Sequence, residues 1–150
     1  MDTSTHVTRS ATTRARRASM ASAVGSLVEW YDFGLYGAAA TLIFKDYFFG
    51  TDDPFVGLMA AFATFAVGYL ARPFGGMVFG HLGDRIGRKP VMVVTLALMG
   101  ISTTLIGVLP GHDSVGVLAP LLLVVLRLAQ GLGAGAEYAG AVVLSSESAP

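Results

Sequence analysis

The feature that most constrains this chain is a series of apolar stretches long enough to cross a bilayer. A helix rises about 1.5 Å per residue, so about 20 apolar residues span the hydrocarbon core. Four stretches meet this length: residues 20–44, 55–79, 91–109 and 117–144. The third is the cleanest, with 19 residues and no charged side chain. The pattern predicts an all-α membrane protein with four transmembrane helices, spanning residues 20–150 as one bundle.

The composition favours lipid over water as the solvent. Charged residues make up 13% of the chain, about half the share of a typical soluble domain, and the mean hydropathy is +0.64. The formal net charge is zero, which gives no indication of nucleic-acid binding. The chain has no cysteine, and its three histidines lie far apart, so the sequence indicates no metal site. We expect membrane lipid as a partner and no nucleic acid, metal or cofactor.

The first 19 residues differ in composition from the rest. They are rich in Ser and Thr and carry four arginines against one acid, Asp2. Such a segment buries too little apolar area to fold, so we predict a disordered basic cytoplasmic tail. A transit peptide has a similar composition and stays open as an alternative. A secretory signal is disfavoured because the following apolar run contains Glu29 and Asp32.

The distribution of basic residues between the runs predicts the orientation. The tail holds four Lys or Arg residues and connector 80–90 holds three, whereas the other two connectors together hold only Lys45. Lys and Arg concentrate on the cytoplasmic side of membrane proteins. We therefore predict a multi-pass protein of the plasma (inner) membrane with a cytoplasmic N-terminus.

Charged side chains also lie inside the apolar runs, where each costs about 2.5–3.5 kcal/mol on insertion scales if it faces lipid. They are Glu29, Asp32, Arg72, Arg127 and Glu137. Asp32 and Arg127 reach similar depth near the bilayer middle. We expect these groups to face the bundle interior as a proton or substrate site. The alternatives are a structural ion pair, for example Asp32 with Arg127, and snorkelling of Arg72 to the interface.

Glycine spacing predicts where helices approach closely. Gly76 and Gly80, and likewise Gly131 and Gly135, have the G-x-x-x-G spacing that lets apolar helices pack backbone to backbone. Pro73 followed by Gly75 would kink the second run. Glycines also allow a tight turn in the charged connector, which reads Gly80-His81-Leu82-Gly83-Asp84-Arg85-Ile86-Gly87-Arg88-Lys89-Pro90.

One stretch imitates a nucleotide-binding turn. Residues 121–128 followed by Gly131-x-Gly133-x-x-Ala136 look like a strand running into a dinucleotide loop. Arg127 interrupts that strand, and no acidic ribose partner lies at the expected distance. A soluble nucleotide-binding enzyme is therefore disfavoured, and we predict that the protein is not an enzyme.

Several of these motifs resemble one family. The connector resembles the signature between helices 2 and 3 of the major facilitator superfamily, and Arg127-x-x-Gln130-Gly131 is similar to its fourth-helix motif. Three further segments look like its metabolite:proton symporters, which include transporters of shikimate, α-ketoglutarate, citrate, and proline or betaine. They are Glu29-Trp30-Tyr31-Asp32-Phe33, Arg72-Pro73-x-Gly75-Gly76 and Gly135-Ala136-Glu137-Tyr138.

The resemblance implies a twelve-helix fold of two halves with the substrate between them, of which this chain holds helices 1–4. It implies that Asp84, Arg85 and Arg88 form a cytoplasmic charge network, joined by Glu147, that stabilises the outward-facing state. It also implies that Asp32 and Arg127 contribute to coupling or substrate binding, with Glu29 and Glu137 as further candidates. The helix-packing residues are Gly75, Gly76, Gly80, Gly83, Gly87, Gly131 and Gly135.

The functional expectation is proton-coupled symport of a small organic acid, shikimate-like or betaine-like, by alternating access. Asp32 is the expected proton site and Arg127 the expected anion contact, because a guanidinium matches the geometry of a carboxylate. Eight of the twelve implied helices are absent. The alternative is therefore a truncated, non-transporting membrane fragment or four-helix scaffold.

Overall fold

The computed structural model describes residues 20, 23, 27 and 29–147, without the side chains of Lys89 and residues 138–147. The predicted basic tail, residues 1–19, lies outside the described residues. Helix α1 covers residues 29–47 and includes a π-helical segment, Ala40–Phe44, followed by Lys45–Tyr47.

The described part of the chain is all-helical and contains no strand. Helix α2 is Pro54–Ile86, α3 is Arg88–Val108 and α4 is Leu118–Glu147. A single helical turn, His112–Val115, lies in the connection between α3 and α4.

Local chemistry fixes both ends of α2. The Asp53 carboxylate accepts a hydrogen bond of 2.8 Å from the Phe55 N–H, and Pro54 occupies the first turn, where its missing N–H is not needed. The helix ends at Gly87, whose φ of 97° and ψ of 147° suit glycine alone. The helix thus continues well into the charged connector predicted for residues 80–90, and the chain reverses at one residue.

Three of the described helices contain segments that are long and apolar enough to cross a membrane: Pro54–Ile86, Pro90–Val108 and Leu118–Glu137. The predicted first span, residues 20–44, lies partly outside the described residues. Large apolar side chains are exposed along these helices, as for Ile101 and Val108 on α3, which are 60% and 76% exposed. Such surfaces suit hydrocarbon, which needs no polar cover.

Helices α2 and α4 cross with their backbones in contact. A Cβ atom at Gly131 or Gly135 would overlap the carbonyl oxygens of Gly68 or Arg72 on α2. A Cβ at Gly75 would overlap the carbonyl oxygen of Leu132 on α4. Because small residues allow this approach, side chains beside the crossing are held in a narrow space between the two helices.

The bundle end opposite Gly87 is closed by an apolar cluster. Phe48, just after α1, is 1% exposed and packs with Ile106, Ala119 and Leu123 from α3 and α4. This cluster ties α1 to the other helices.

Candidate functional site

The deepest polar site joins α1 to α4. The Arg127 guanidinium lies 3.4 Å from Asp32 Oδ2, and Gln130 Nε2 donates to Asp32 Oδ1 at 3.0 Å. Arg127 Nη1 also donates to Gln130 Oε1, and Gln130 Nε2 donates to Thr103 Oγ1 at 2.9 Å. Arg127 and Gln130 are three residues apart, so they share one face of α4. The helices therefore hold one carboxylate, one amide and one guanidinium as a connected unit.

Arg127 is sealed on its other sides. Its side chain is 5% exposed, and its guanidinium carbon lies 3.5 Å from the centre of the Tyr36 ring and 5.4 Å from that of Phe65. Both distances suit a cation above an aromatic face. Tyr36 is in turn held by a hydrogen bond of 2.9 Å between its hydroxyl and that of Thr64. Arg127 Nε is buried without a hydrogen-bond partner among the described atoms.

A second ion pair lies beside the first. Arg72 on α2 pairs with Glu29 on α1, and its guanidinium carbon lies 4.1 Å from the centre of the Tyr69 ring. Both charged side chains are partly open, with Arg72 25% and Glu29 32% exposed. The sequence predicted an inward position or snorkelling for Arg72, and the structure pairs it across two helices.

The second pair opens onto a cavity of about 700 Å³. Its described walls are mainly apolar and include Glu29, Trp30, Phe33, Tyr69, Arg72 and Gly76. Arg127 does not line this cavity; it reaches a crevice of about 20 Å³ that it shares with Glu29, Asp32 and Arg72. A solute in the larger cavity would therefore meet Arg72 first.

The five charged side chains of the predicted spans form one electrostatic cluster. Glu137 on α4 lies within electrostatic range of Glu29, and Arg72 lies within range of Arg127. The two ion pairs balance two carboxyl groups against two guanidinium groups, and Glu137 is the third carboxyl group of the set. The fully ionised cluster therefore carries one excess negative charge.

The charged residues near Gly87 are only partly brought together. Arg88 Nη2 lies 3.9 Å from Asp84 Oδ1, and both residues line a cavity of about 190 Å³ together with Glu137. Arg85 is exposed, and the side chain of Glu147 lies outside the described residues. Within the described residues, no group of three or more His, Cys, Asp or Glu is placed to hold a metal ion.

A family model for sugar and other transporters, a branch of the major facilitator superfamily, matches residues 18–150. The chain belongs to the major facilitator superfamily. The family predicted from the sequence motifs is therefore confirmed. Family membership and the long apolar helices together make the chain a multi-pass membrane protein.

The relatives of this major facilitator chain are transporters. It is 54% identical over 137 residues to the shikimate transporter of Escherichia coli K12. The matched region covers 91% of this chain and 31% of the relative. The proline/betaine transporter of the same strain is 44% identical over 137 residues, or 91% of this chain and 27% of the relative. The inner membrane metabolite transport protein YhjE is 48% identical over 131 residues, with 87% and 30% covered. The chain thus spans about a third of the length of these relatives. No solved structure matches.

The glycines of this major facilitator chain have distinct positions. Gly75, Gly131 and Gly135 lie at the α2–α4 crossing, and Gly76 and Gly135 line the larger cavity. A Cβ at Gly80 would meet no atom within 4 Å, so the structure does not place Gly80 at that crossing. Gly80 follows Gly75 by five residues, which turns it roughly 140° away from the contact face. Gly83 is buried near the Arg88 side chain, and Gly87 makes the reversal between helices.

Sequence reasoning missed several residues that shape the site. They are Tyr36, Thr64, Gly68, Tyr69 and Thr103. Gly68 is seven residues before Gly75, a two-turn spacing that places both on one face, and this was the available signal. Nothing in the sequence pairs Tyr36 with Arg127, because an aromatic residue in a membrane helix ordinarily faces lipid or core.

Proposed function

We propose that this chain belongs to a secondary active transporter of the inner membrane, with its N-terminus in the cytoplasm. It carries a small organic acid or betaine-like metabolite together with a proton by alternating access. The named substrates of the relatives support this substrate range. The observation that carries the proposal is the cluster of five charges between three helices, since ionisable groups inside membranes mark ion and substrate pathways.

The charge balance of the cluster supports proton coupling. Three carboxyl groups face two permanently charged guanidinium groups, so uptake of one proton makes the cluster neutral. In a low-dielectric medium, a conformational change costs less electrostatic energy when the cluster is neutral than when it is charged. This charge balance is the physical reason to assign a proton to the cluster.

Asp32 is the proposed coupling group. Its side chain is 25% exposed whereas that of Arg127 is 5% exposed, so water reaches the carboxylate before the guanidinium. Arg127 and Gln130 hold the ionised form of Asp32, and protonation of Asp32 would release it from α4. Arg127 as a direct anion contact stays a prediction, and its burial requires Asp32 or Gln130 to move first.

The residues around Gly87 are the proposed conformational lock. Asp84 and Arg88 join the end of α2 to the start of α3, and Glu137 of α4 lies at the same cavity. Arg85 and Glu147 complete the proposed network. A charge network across three helix ends stabilises one arrangement of those helices. An alternating-access carrier needs such a stabilised arrangement on one side of the membrane.

Uptake in cells tests the proposal. Cells expressing the chain within its complete reading frame are given radiolabelled shikimate, proline, betaine and citrate, with and without an imposed inward proton gradient. We expect at least one solute to accumulate in response to the gradient, and Asp32→Asn to abolish that response. Uptake indifferent to both the gradient and Asp32→Asn would refute the coupling assignment. The same uptake measured in cells that express only the chain ending at Pro150 tests the alternative of a non-transporting four-helix scaffold.

A further inference from the structure

The cavity of about 700 Å³ has one cationic group among its described walls, Arg72. The edge of that guanidinium is occupied by a carboxylate of the same chain, Glu29. The face of the same guanidinium lies over the Tyr69 ring, with 4.1 Å between the guanidinium carbon and the ring centre. Stacking on a ring fixes the plane of an arginine and leaves its fork free for a planar carboxylate.

We propose that Arg72 is the residue that binds the carboxylate of the transported solute, and that Glu29 is an internal carboxylate which the solute displaces. The proposal rests on the proposed function for its solute class. It differs from the sequence expectation, which assigned the anion contact to Arg127.

Access separates the two arginines. Arg127 is 4% exposed and is covered by Asp32, Gln130 and Tyr36. Arg72 lines the open cavity, and its partner Glu29 is 32% exposed, so a displaced Glu29 carboxylate can be hydrated there. A solute therefore exchanges for Glu29 without opening the sealed pair.

The rest of the cavity restricts the solute. Trp30 and Phe33 supply apolar and aromatic surface beside the Arg72–Glu29 pair. Their faces suit a compact ring or other apolar body attached to the carboxylate. A second carboxylate on the solute would find no further cation among the described wall residues and would remain near Glu29. The cavity thus selects monocarboxylates with a compact body over dicarboxylates.

Trp30 makes the proposal measurable, because it lines the cavity and is the single tryptophan of the chain. The full chain in lipid nanodiscs is titrated with cyclohexanecarboxylate while Trp30 fluorescence is recorded. Cyclohexylmethanol is the uncharged control, and cyclohexane-1,4-dicarboxylate tests the second charge. We expect a saturable response to the monocarboxylate, about tenfold weaker binding of the dicarboxylate, and no saturation with the alcohol.

Variants assign the contact. Arg72→Gln should weaken binding roughly 10- to 100-fold, since it removes a charge-assisted pair of hydrogen bonds, and Arg72→Lys should fall between. Glu29→Gln should tighten binding because the internal competitor is lost. Lys45→Gln removes one cation that pairs with Asp46 outside the cavity walls, so it should leave the affinity unchanged.

The double variant Glu29→Gln with Arg72→Gln guards against misfolding, because it leaves no unpaired charge. It should bind as weakly as Arg72→Gln. Wild-type affinity in Arg72→Gln or in the double variant, weakened binding in Glu29→Gln, or no saturable response in the wild type would each overturn the proposal. Retained gradient-driven uptake by Arg72→Gln would overturn the Arg72 contact alone, whereas binding without gradient-driven uptake would overturn the transport function alone.

Discussion

Arg127 is a permanently charged side chain on the mainly apolar helix α4, and three kinds of contact keep it out of hydrocarbon. Asp32 supplies the counter-charge, Gln130 supplies a carbonyl acceptor, and the Tyr36 ring covers one face. Gly68 leaves space for its stem, with the Arg127 Cγ 3.2 Å from where a Cβ would be. Asp32, the proposed coupling group, therefore also holds Arg127 in the fold.

Removing one partner of the Asp32–Arg127 pair should harm stability more than removing both. Asp32→Asn leaves the buried guanidinium without its counter-charge, which typically destabilises by about 3–5 kcal/mol. The double variant Asp32→Asn with Arg127→Gln should recover most of that loss, because no charge stays buried. The measurement is the free energy of unfolding in mixed detergent micelles. Equal or greater instability of the double variant would show that the pair is not coupled in this way.

At the scale of elements, the crossing of α2 and α4 depends on the absence of side chains. Gly135→Ala would place a methyl group against the backbone carbonyl of Arg72, which cannot move as a flexible side chain can. We expect a destabilisation of about 1–3 kcal/mol in the same unfolding assay, as for other overpacked contacts.

Gly100→Ala is the matched control for Gly135→Ala. It lies within α3, and a Cβ there would meet no atom within 4 Å. Alanine is the better helix former by about 0.5–1 kcal/mol, so this variant should be neutral or slightly more stable. A Gly135→Ala protein as stable as Gly100→Ala would contradict the close crossing.

The reversal between α2 and α3 depends on one glycine. Gly87→Ala should destabilise by about 1–3 kcal/mol, because its φ of 97° with ψ of 147° is reached almost only by glycine. Gly80→Ala, in a helical position with open space around it, should have no such effect. Thermal unfolding of the two variants in detergent compares them, and similar midpoints would argue against strain at Gly87.

How far sequence reasoning reached differs between elements and contacts. Apolar length and the glycine spacing at Gly131 and Gly135 are local, so the helices and one side of the crossing could be predicted. Helix α2 extends to Ile86 within the predicted connector 80–90, and the reversal falls at Gly87. Tyr69 and Arg72 stack within one helix, but Arg72 also forms an ion pair with Glu29 of another helix. No local sequence pattern reveals that pair.

At the scale of the whole molecule, orientation in the membrane stays a prediction from basic residues. The chain has no cysteine, so any introduced cysteine is a unique label. Ser114→Cys, in the exposed turn after α3, should react with a membrane-impermeant maleimide in intact cells. Ile86→Cys, at the end of α2 and 57% exposed, should react only after permeabilisation. The reverse pattern would place the N-terminus outside.

The central claim is that the charged cluster carries a proton with the solute, with Asp32 as the proposed coupling group. The most direct test is the pH of a weakly buffered suspension of energy-depleted cells that express the complete reading frame. Addition of the solute with the largest uptake should make the medium transiently alkaline, and Asp32→Asn should remove this signal. Solute entry with no alkaline transient in the wild type would contradict proton coupling and, with it, the role assigned to the cluster.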